Sequence, residues 1–280
     1  MRRLSMCAVV LVVASVCAGS VYAQKGVTKY VRYSAGAQIH YGILQGDTIA
    51  ELSGDLFANP KPTGVTVKLA AVKLLAPCTP SKVIAVGLNY QTHLGQRAAA
   101  TYPGLFAKLP TTIIGPEEAI VFPPDAKNVH FEGEMVLVIG WKALDVPEAE
   151  ARLYVFGITA GNDVSERDWQ KADLQWFRAK GTDTFGPLGP VIATGLNYDD
   201  LLVQTRLNGE VKQSQRTTDL IFNVAAIVSY VSRYVTLMPG DVIYTGTPGT
   251  TSAMKPGDVV EVEVEGVGVL RNTIAAARRQ

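Results

Sequence analysis

Two glutamates two positions apart, Glu132 and Glu134, open an apolar run that extends to Gly140. The β-branched residues of this run predict a strand, and side chains two apart on a strand point to the same face. The two carboxylates are therefore expected to converge on one point. Adjacent carboxylates repel, so one is pushed to protonate unless a cation lies between them. Such a pair on its own is also typical of a solvated strand face, and both interpretations stay open at this level.

A third carboxylate follows the next apolar run. Asp163 lies in Gly161-Asn162-Asp163-Val164, about 30 residues beyond the pair. Three carboxylates without clustered histidines or cysteines suit a hard cation that prefers oxygen ligands, with water in the remaining positions. Such ions are Mg²⁺, Mn²⁺ and Ca²⁺.

The elements that must position these residues are mostly strands. Ser81–Gly87 reads as a strand, and Val259–Glu265 alternates as a half-exposed antiparallel strand. Two helices are expected, over Ser165–Phe177 and Thr218–Arg233. Residues 91–111 are polar, small and rich in glycine and proline, which suggests an irregular lid. The sequence predicts an α+β fold that is predominantly antiparallel β.

The first 23 residues have the pattern of a secretory signal peptide. Arg2 and Arg3 precede the apolar stretch Met6–Val16, and Val21-Tyr22-Ala23 resembles a cleavage site. The apolar stretch is too short for a stable membrane span. We therefore expect export to the periplasm or the medium after cleavage near Ala23.

The remaining chain divides in sequence into a small β-rich module, residues 24–77, and a main domain, residues 78–280. A loop is expected over residues 59–64, where prolines and a glycine cluster. Without the leader, 24 basic residues face 25 acidic ones, so nothing in the charge favours nucleic acid or an anionic membrane as a partner. Cys78 would be the only cysteine left, and its prolines on either side suggest a structural role.

Five motifs follow one another through the main domain. They are SKVIAVGLNYQTH (81–93), HFEGEMVLVIG (130–140), GNDVSERD (161–168), QWFRAKGTDTFGPLGP (175–190) and DVIYTGTPG (241–249). In this order and spacing they resemble the fumarylacetoacetate hydrolase family, over about residues 78–275. Several motifs that recur together are far more specific than any one alone.

The resemblance implies a mixed β-sandwich roll, a divalent ion, a homodimer and activity on small 2-oxo or β-dicarbonyl acids. It assigns the metal ligands to Glu132, Glu134 and Asp163, and it matches Lys180 to the active-site lysine of the family. It further implies contacts to substrate from Gln170, Thr247 and Gly246. Taken by itself, Lys180 would more simply be a surface lysine.

The expected chemistry agrees with these roles. A 2-oxo carboxylate chelates a metal through one carboxylate oxygen and the adjacent keto oxygen, which polarises the carbonyl. Cleaving or shifting a bond beside that carbonyl builds an enolate, whose charge Lys180 can neutralise.

His93 is the candidate general base. In hydrolytic members the resemblance places a glutamate three residues after this histidine, where it orients the ring and offsets its charge. Here the position is Gln96, which offers a hydrogen bond but no charge. His130, next to the ligand strand, is expected to have a structural role.

Two kinds of reaction therefore stay open, together with one non-catalytic role. C–C bond hydrolysis of an acylpyruvate-like substrate is the reference activity of the resemblance. Gln96 favours isomerisation, decarboxylation or tautomerisation of a related oxo acid. The export signal is also compatible with a protein that binds oxo acids without turnover.

Overall fold

A computed structural model of the protein describes residues 26–277. The predicted signal peptide and its cleavage site near Ala23 lie outside the described residues. Within residues 26–277, no helix is long and apolar enough to cross a membrane.

The described chain is mostly β structure with a few short helices, as expected of an α+β protein. The strands are β1 Thr28–Ala35, β2 Gln38–Gln45, β3 Thr48–Ser53, β4 Lys61–Lys68, β5 Lys73–Leu74, β6 Val83–Gly87, β7 Gly104–Lys108, β8 Ile113–Ile114, β9 Ala119–Phe122, β10 Val129–His130, β11 Gly133–Ile139, β12 Val155–Asn162, β13 Ser165–Glu166, β14 Gly186–Thr194, β15 Leu202–Leu207, β16 Glu210–Arg216, β17 Val242–Tyr244, β18 Val259–Val264 and β19 Gly268–Ala276. The helices are α1 Gln91–Leu94, α2 Arg167–Ala172, α3 Phe177–Gly181 and α4 Val224–Tyr234, with 3₁₀ turns at Leu69–Ala71, Pro110–Thr112, Glu148–Tyr154 and Thr217–Asp219.

Two sheets carry the fold. The large sheet has the strand order β4-β3-β2-β1-β14-β12-β11-β17-β6-β7, with β5 beside β1 and β8 beside β14. The small sheet has the order β16-β15-β18-β19-β9. Strands β11 and β12 of the large sheet lie against β15 and β18 of the small one. The interior between them is filled by apolar side chains that include Met135, Leu137, Ile158, Val203 and Val262. Burial of this kind is the main stabilising contribution.

The small N-terminal module continues the large sheet. Strands β1 to β4 form an antiparallel meander, and β1 pairs with β14 from Thr28↔Thr194 to Tyr30↔Ile192. Backbone hydrogen bonds therefore join residues 28–68 to the main domain, and the predicted boundary near residue 77 does not separate two sheets.

The loop predicted over residues 59–64 is wrong in its second half. Strand β4 begins at Lys61, and Pro62 pairs with Leu52. Proline is tolerated because β4 is the outermost strand of the large sheet, where an N–H is not needed for the next strand.

Both predicted helices start later than expected. The segment predicted from Ser165 begins as β13, and its helical part breaks between α2 and α3. The second helix starts at Val224 because the Asn223 side chain caps it, accepting a hydrogen bond from the Ala226 N–H at 3.0 Å. Both predictions began upstream of the residues that cap the helices at their N-termini, Glu166 for α2 and Asn223 for α4.

The predicted irregular lid is also shorter than expected. Residues 91–94 form α1, and residues 104–108 form β7, which pairs antiparallel with β6. Residues 95–103 and Leu109 lack regular structure, and Pro110–Thr112 form a 3₁₀ turn. The flanking Pro103 and Pro110 and the initial Gly104 leave β7 too short an apolar core to give a clear strand pattern.

Candidate active site

The three predicted metal ligands meet where β11 begins beside the end of β12. Gly133 pairs with Asn162 across the two strands, so Glu132 and Glu134 flank the pair and Asp163 follows it. The Asp163 N–H donates to the Glu132 carbonyl at 2.8 Å. All three carboxylates are buried, and one oxygen of each lies within 4.8 Å of the other two. The strand geometry predicted from the sequence therefore brings these residues together.

Gly133 allows the small sheet to approach the ligands. A Cβ built at this position would lie 1.9 Å from Thr205 Oγ1 on β15. The absence of a side chain is thus required by close packing, and the glycine lets β15 cover the strand that carries both glutamates.

Lys180, on α3, lies within this group of carboxylates. Its Nζ donates to Glu132 Oε2 at 2.5 Å and to Asp163 Oδ2 at 2.6 Å, and its side chain is buried. Burial would lower the pKa of Lys180, but Asp163 and Glu132 outweigh it and hold that pKa above its ordinary value. Lys180 is an ammonium ion within the site, and the surface interpretation of this residue is wrong.

A second buried lysine, Lys108, was missed by the sequence analysis. It is the last residue of β7, and its Nζ donates to Asp163 Oδ1 at 2.6 Å and to the Lys180 carbonyl at 2.5 Å. Burial lowers its pKa, and the nearby Lys180 lowers it further, against the attraction of Asp163. No pattern in the sequence distinguishes this lysine from an exposed strand end.

Glu132 and Asp163 each contact positively charged side chains, whereas Glu134 does not. Burial alone would raise the pKa of Glu132, but Lys180 and Arg167 hold it well below its ordinary value. Arg167 Nη2 donates to Glu132 Oε1 at 2.5 Å. Glu134 differs, because burial, Asp163 and Glu132 together raise its pKa well above the ordinary value.

Glu134 is therefore the carboxylate that lacks a charged partner. Its one hydrogen bond among the described residues is from the Gly246 N–H, at 2.6 Å to Oε2. A buried carboxylate in this position either keeps a proton or binds a cation. Gly246, predicted to contact substrate, thus holds a ligand carboxylate.

His93 faces the cluster from α1. Its Nε2 lies 3.6 Å from Glu132 Oε1, and its Nδ1 lies 2.6 Å from the Gly249 carbonyl oxygen. A carbonyl only accepts, so in the neutral ring Nδ1 carries the proton and Nε2 is the basic nitrogen. The histidine is thereby oriented by a backbone group.

Gln96 takes no part in this arrangement. It lies beyond the end of α1, which stops at Leu94, and it is exposed and outside the cavity lining. The ring-orienting role considered for Gln96 belongs to the Gly249 carbonyl in this structure.

The remaining predicted residues surround the cluster. Gln170 and Thr247 both line the cavity, and Gln170 Oε1 accepts a hydrogen bond from Arg167 Nη1 at 2.8 Å. Thr247 Oγ1 donates to the Gly133 carbonyl at 2.9 Å and accepts from Gln213 Nε2 at 2.8 Å. Gln213, like Lys108 and Arg167, was not selected from the sequence as a site residue.

His130 also lines the cavity without contacting the carboxylates directly. Its Nδ1 lies 2.9 Å from Thr251 Oγ1 and its Nε2 lies 2.8 Å from Asn128 Oδ1. Both ring nitrogens are thus engaged by neutral side chains, and a structural role remains the simplest interpretation of this histidine.

The cavity above the cluster has a volume of about 510 Å³. An ion with oxygen ligands at about 2.1 to 2.5 Å joins oxygens that lie up to roughly twice that distance apart. One oxygen of each of the three carboxylates lies within 4.8 Å of the other two, which is close enough for a single ion to contact all three. Hard oxygen donors and an uncompensated Glu134 therefore make the site suitable for a divalent cation.

Family models match most of the chain. Residues 82–275 match the model described as fumarylacetoacetate (FAA) hydrolase C-terminal, which is more than half of the protein. The chain belongs to the fumarylacetoacetate hydrolase family. Residues 28–77 match a second model, described as Rv2993c-like, N-terminal.

Relatives within the fumarylacetoacetate hydrolase family have several names. Oxaloacetate tautomerase Fahd2a, mitochondrial, from Rattus norvegicus is 41% identical over 217 residues, which are 72% of this chain and 69% of the relative. The crystal structure of 5-carboxymethyl-2-hydroxymuconate delta-isomerase from Mycobacterium smegmatis is 43% identical, with a TM-score of 0.85, over 89% of this chain and all of that one.

A more distant structure was solved with ligands. Maleylpyruvate hydrolase from Sphingobium sp. SYK-6, in complex with manganese(II) and pyruvate, is 26% identical with a TM-score of 0.75. It covers 89% of this chain and 100% of its own. Fumarylacetoacetate hydrolase family members are thus named as tautomerases, isomerases and hydrolases.

Proposed function

We propose that this protein is a divalent-metal-dependent enzyme that forms and reprotonates the enolate of a small 2-oxo acid. Its reaction would be a keto–enol tautomerisation or a related isomerisation. The observation that carries this proposal is the buried cluster of Glu132, Glu134 and Asp163, joined to the Lys180 ammonium and faced by the basic nitrogen of His93.

Glu132, Glu134 and Asp163 would hold Mg²⁺ or Mn²⁺. Bound there, the ion would supply Lewis-acid polarisation of the 2-oxo group. Mn²⁺ is the ion reported with the maleylpyruvate hydrolase relative, and carboxylate donors suit both ions.

The side chains of the site would then transfer one proton. His93 Nε2 accepts the proton from the carbon beside the keto group, and the electron pair of that C–H bond moves to form the enolate. The Lys180 ammonium donates a hydrogen bond to the enolate oxygen, where the negative charge develops. Return of the proton from His93 to this oxygen completes the conversion to the enol, so no atom is gained or lost.

Substrate orientation would come from the cavity wall. Thr247 is fixed by Gln213 and Gly133, and Gln170 is fixed by Arg167. Side chains whose positions are already set by hydrogen bonds bind with less loss of conformational entropy.

C–C bond hydrolysis of an acylpyruvate-like substrate is the second candidate. His93 Nε2 faces the ligand Glu132, where it could accept a proton from water. Both reactions leave His93 protonated for a time, with Glu132 beside its Nε2. We place enolate chemistry first because the relatives named as oxaloacetate tautomerase and delta-isomerase are 41% and 43% identical to this chain, whereas the maleylpyruvate hydrolase is 26% identical.

Binding of oxo acids without turnover remains the non-catalytic alternative. The position of Lys180 argues against this alternative, because two hydrogen bonds hold its ammonium between the metal ligands. A protein that only binds oxo acids could hold them with the ion and would not need this second positive charge.

Two substrates distinguish these candidates in the presence of Mn²⁺. Accelerated enol-to-keto conversion of oxaloacetate without loss of carbon would support the tautomerase. Release of acetate and pyruvate from acetylpyruvate would establish the hydrolase instead. If both compounds bind and neither changes, the result favours the protein that binds oxo acids without turnover. His93→Gln should abolish either reaction, since both need the same base.

The proposal also includes the oligomeric state of the protein and its location. We infer a homodimer, as the family resemblance implies, and export after cleavage near Ala23. Light scattering gives the mass of the assembly, and the intact mass of the mature chain shows whether residues 1–23 have been removed.

A further inference from the structure

A second cavity opens beside the main one. It has a volume of about 320 Å³ and shares Gly87, Leu88, Phe106 and Trp176 with the wall of the main cavity. Apart from Gln175, its lining consists of glycines and apolar residues. The polar, carboxylate-bearing cavity thus continues into an apolar one, which we call the side cavity.

The passage between the two cavities begins close to the reacting groups. The Phe106 ring centroid lies 5.0 Å from Lys180 Nζ, and the Trp176 ring lies 5.3 Å beyond it, edge to face. Lys180 in turn contacts two of the metal ligands. An acid held at the ligands would need only a few carbon atoms to reach past Phe106.

Gly87 keeps this passage open. A Cβ at this position would lie 3.5 Å from the Trp176 ring and 3.7 Å from the Phe106 ring, which is ordinary contact distance. The glycine is therefore not required by a clash or by a left-handed backbone. The adjoining Leu88 does have a positive φ of 58°, a conformation that leucine rarely adopts, and it lines both cavities.

The far wall of the side cavity has an apolar residue that the described chain leaves uncovered. Leu174, in the break between α2 and α3, is 95% exposed. An apolar tail lying in the side cavity would remove part of this leucine, Leu105 and the two aromatic rings from water.

We propose that the side cavity is a specificity subsite for an apolar tail on the substrate. The substrate class is then a 2-oxo or acylpyruvate-type acid with an unbranched hydrocarbon chain on the side away from its carboxylate. This inference rests on the proposed function, because it places the oxo-acid end of the substrate at the metal ligands.

A second carboxylate on the substrate is the competing choice. Arg97 and Lys171 also line the main cavity, but both are exposed. An ion pair with exposed cations changes affinity by about fivefold at most and weakens with salt. Each methylene buried in the side cavity is worth about fourfold in affinity, largely independent of salt. The magnitudes favour the apolar tail.

The test is calorimetric binding of a series of 2-oxo acids to the Mn²⁺-loaded full-length protein. The series is pyruvate, 2-oxobutanoate, 2-oxopentanoate and 2-oxohexanoate, and the expected Kd falls by about fourfold for each fully buried methylene. 2-Oxoglutarate and 2-oxopentanoate form a matched pair that differs in a terminal carboxylate or methyl. The proposal predicts tighter binding of 2-oxopentanoate at physiological salt.

Two variants test whether the gain in affinity along the series comes from the side cavity. Leu174→Asp places a charge in the wall, and Gly87→Ala narrows the passage without a steric clash. Both should reduce the ratio of the Kd for pyruvate to that for 2-oxohexanoate toward one. Leu153→Asp, at a 72% exposed leucine outside both cavities, is the matched control and should leave the ratio unchanged.

The possible results distinguish failure of the apolar subsite from failure of the proposed function. Binding of pyruvate with no gain along the series would overturn the subsite and leave the proposed function intact, as would an undiminished ratio in both cavity variants. Tighter binding of 2-oxoglutarate than of 2-oxopentanoate would assign specificity to the cations instead. Failure of every oxo acid to bind the metal-loaded protein would overturn the proposed function, and the subsite with it.

Discussion

At the residue scale, the neighbouring carboxylates Glu132 and Glu134 have opposite electrostatic situations. Glu132 contacts Lys180 and Arg167, whereas Glu134 accepts only the Gly246 N–H among the described residues. Removing one partner of a buried ion pair lowers the free energy of unfolding by roughly 3 kcal/mol or more. Replacing an unpaired buried carboxyl group by an amide of the same shape changes that free energy little.

We therefore predict that Glu132→Gln destabilises the metal-free protein by roughly 3 kcal/mol at neutral pH, and that Glu134→Gln does not destabilise it. Urea unfolding in the presence of a chelator measures both. Equal losses of unfolding free energy in the two variants would contradict the charge distribution described for the site.

The pH dependence of the two variants follows from the directions of the pKa shifts. The pKa of Glu132 is depressed by Lys180 and Arg167 against the effect of burial, so its contribution is present above about pH 4.5 and is lost on acidification. The pKa of Glu134 is raised by burial and by Asp163, so its contribution is lost as pH rises from 4.5 through that raised pKa. Glu134→Gln should remove this alkaline loss of stability, and Glu132→Gln should retain it.

The sequence predicted the residues of the carboxylate cluster because strand periodicity and motif spacing specify them directly. Lys108 escaped prediction because its contact with Asp163 depends on the pairing of β7 with β6, which no local pattern encodes. Gln96 was selected because the resemblance places a glutamate three residues after His93, but α1 ends at Leu94 and Gln96 is exposed.

At the element scale, the site depends on how closely the small sheet packs over β11. Gly133→Ala would place a methyl group 1.9 Å from Thr205 Oγ1. We predict a loss of roughly 1–3 kcal/mol in unfolding free energy, the usual effect of overpacking. Gly104→Ala, whose nearest contact would be at 3.7 Å, is the matched control and should have little effect.

A second substitution tests the cause of that loss. Thr205 Oγ1 is buried and has no hydrogen-bond partner within residues 26–277, so Thr205→Ala alone should be well tolerated. Combined with Gly133→Ala, it should recover part of the lost stability, seen as non-additivity in a double-mutant cycle. Strict additivity would show that the clash is not with Thr205.

Strand prediction succeeded where one face is buried and the other is half exposed, as in β18, whose inner valines alternate with glutamates. Prediction of the element bounds failed where those bounds depend on the position of the segment in the whole fold. Pro62 is compatible with β4 only at the sheet edge, and the division of the first predicted helix into α2 and α3 depends on contacts beyond its own periodicity.

At the scale of the whole molecule, buried polar groups connect segments that are distant in sequence. Asp241 is fully buried and accepts hydrogen bonds from the Ser81, Lys82 and Met238 backbones, which ties the starts of β6 and β17 together. Asn89 likewise joins the end of β6 to Thr245 and Phe222. His93 and Gly246 follow these anchored points, so the geometry of the site is set by the framework of the large sheet.

This arrangement leads to the central claim, that the site forms an enolate from a 2-oxo acid. The most direct measurement is exchange of the methyl protons of pyruvate for deuterium in D₂O, followed by NMR with the Mg²⁺-loaded protein. We predict exchange well above the buffer rate, and its loss in Lys180→Met and His93→Gln. Exchange at the buffer rate, with pyruvate and Mg²⁺ shown to be bound, would contradict the account.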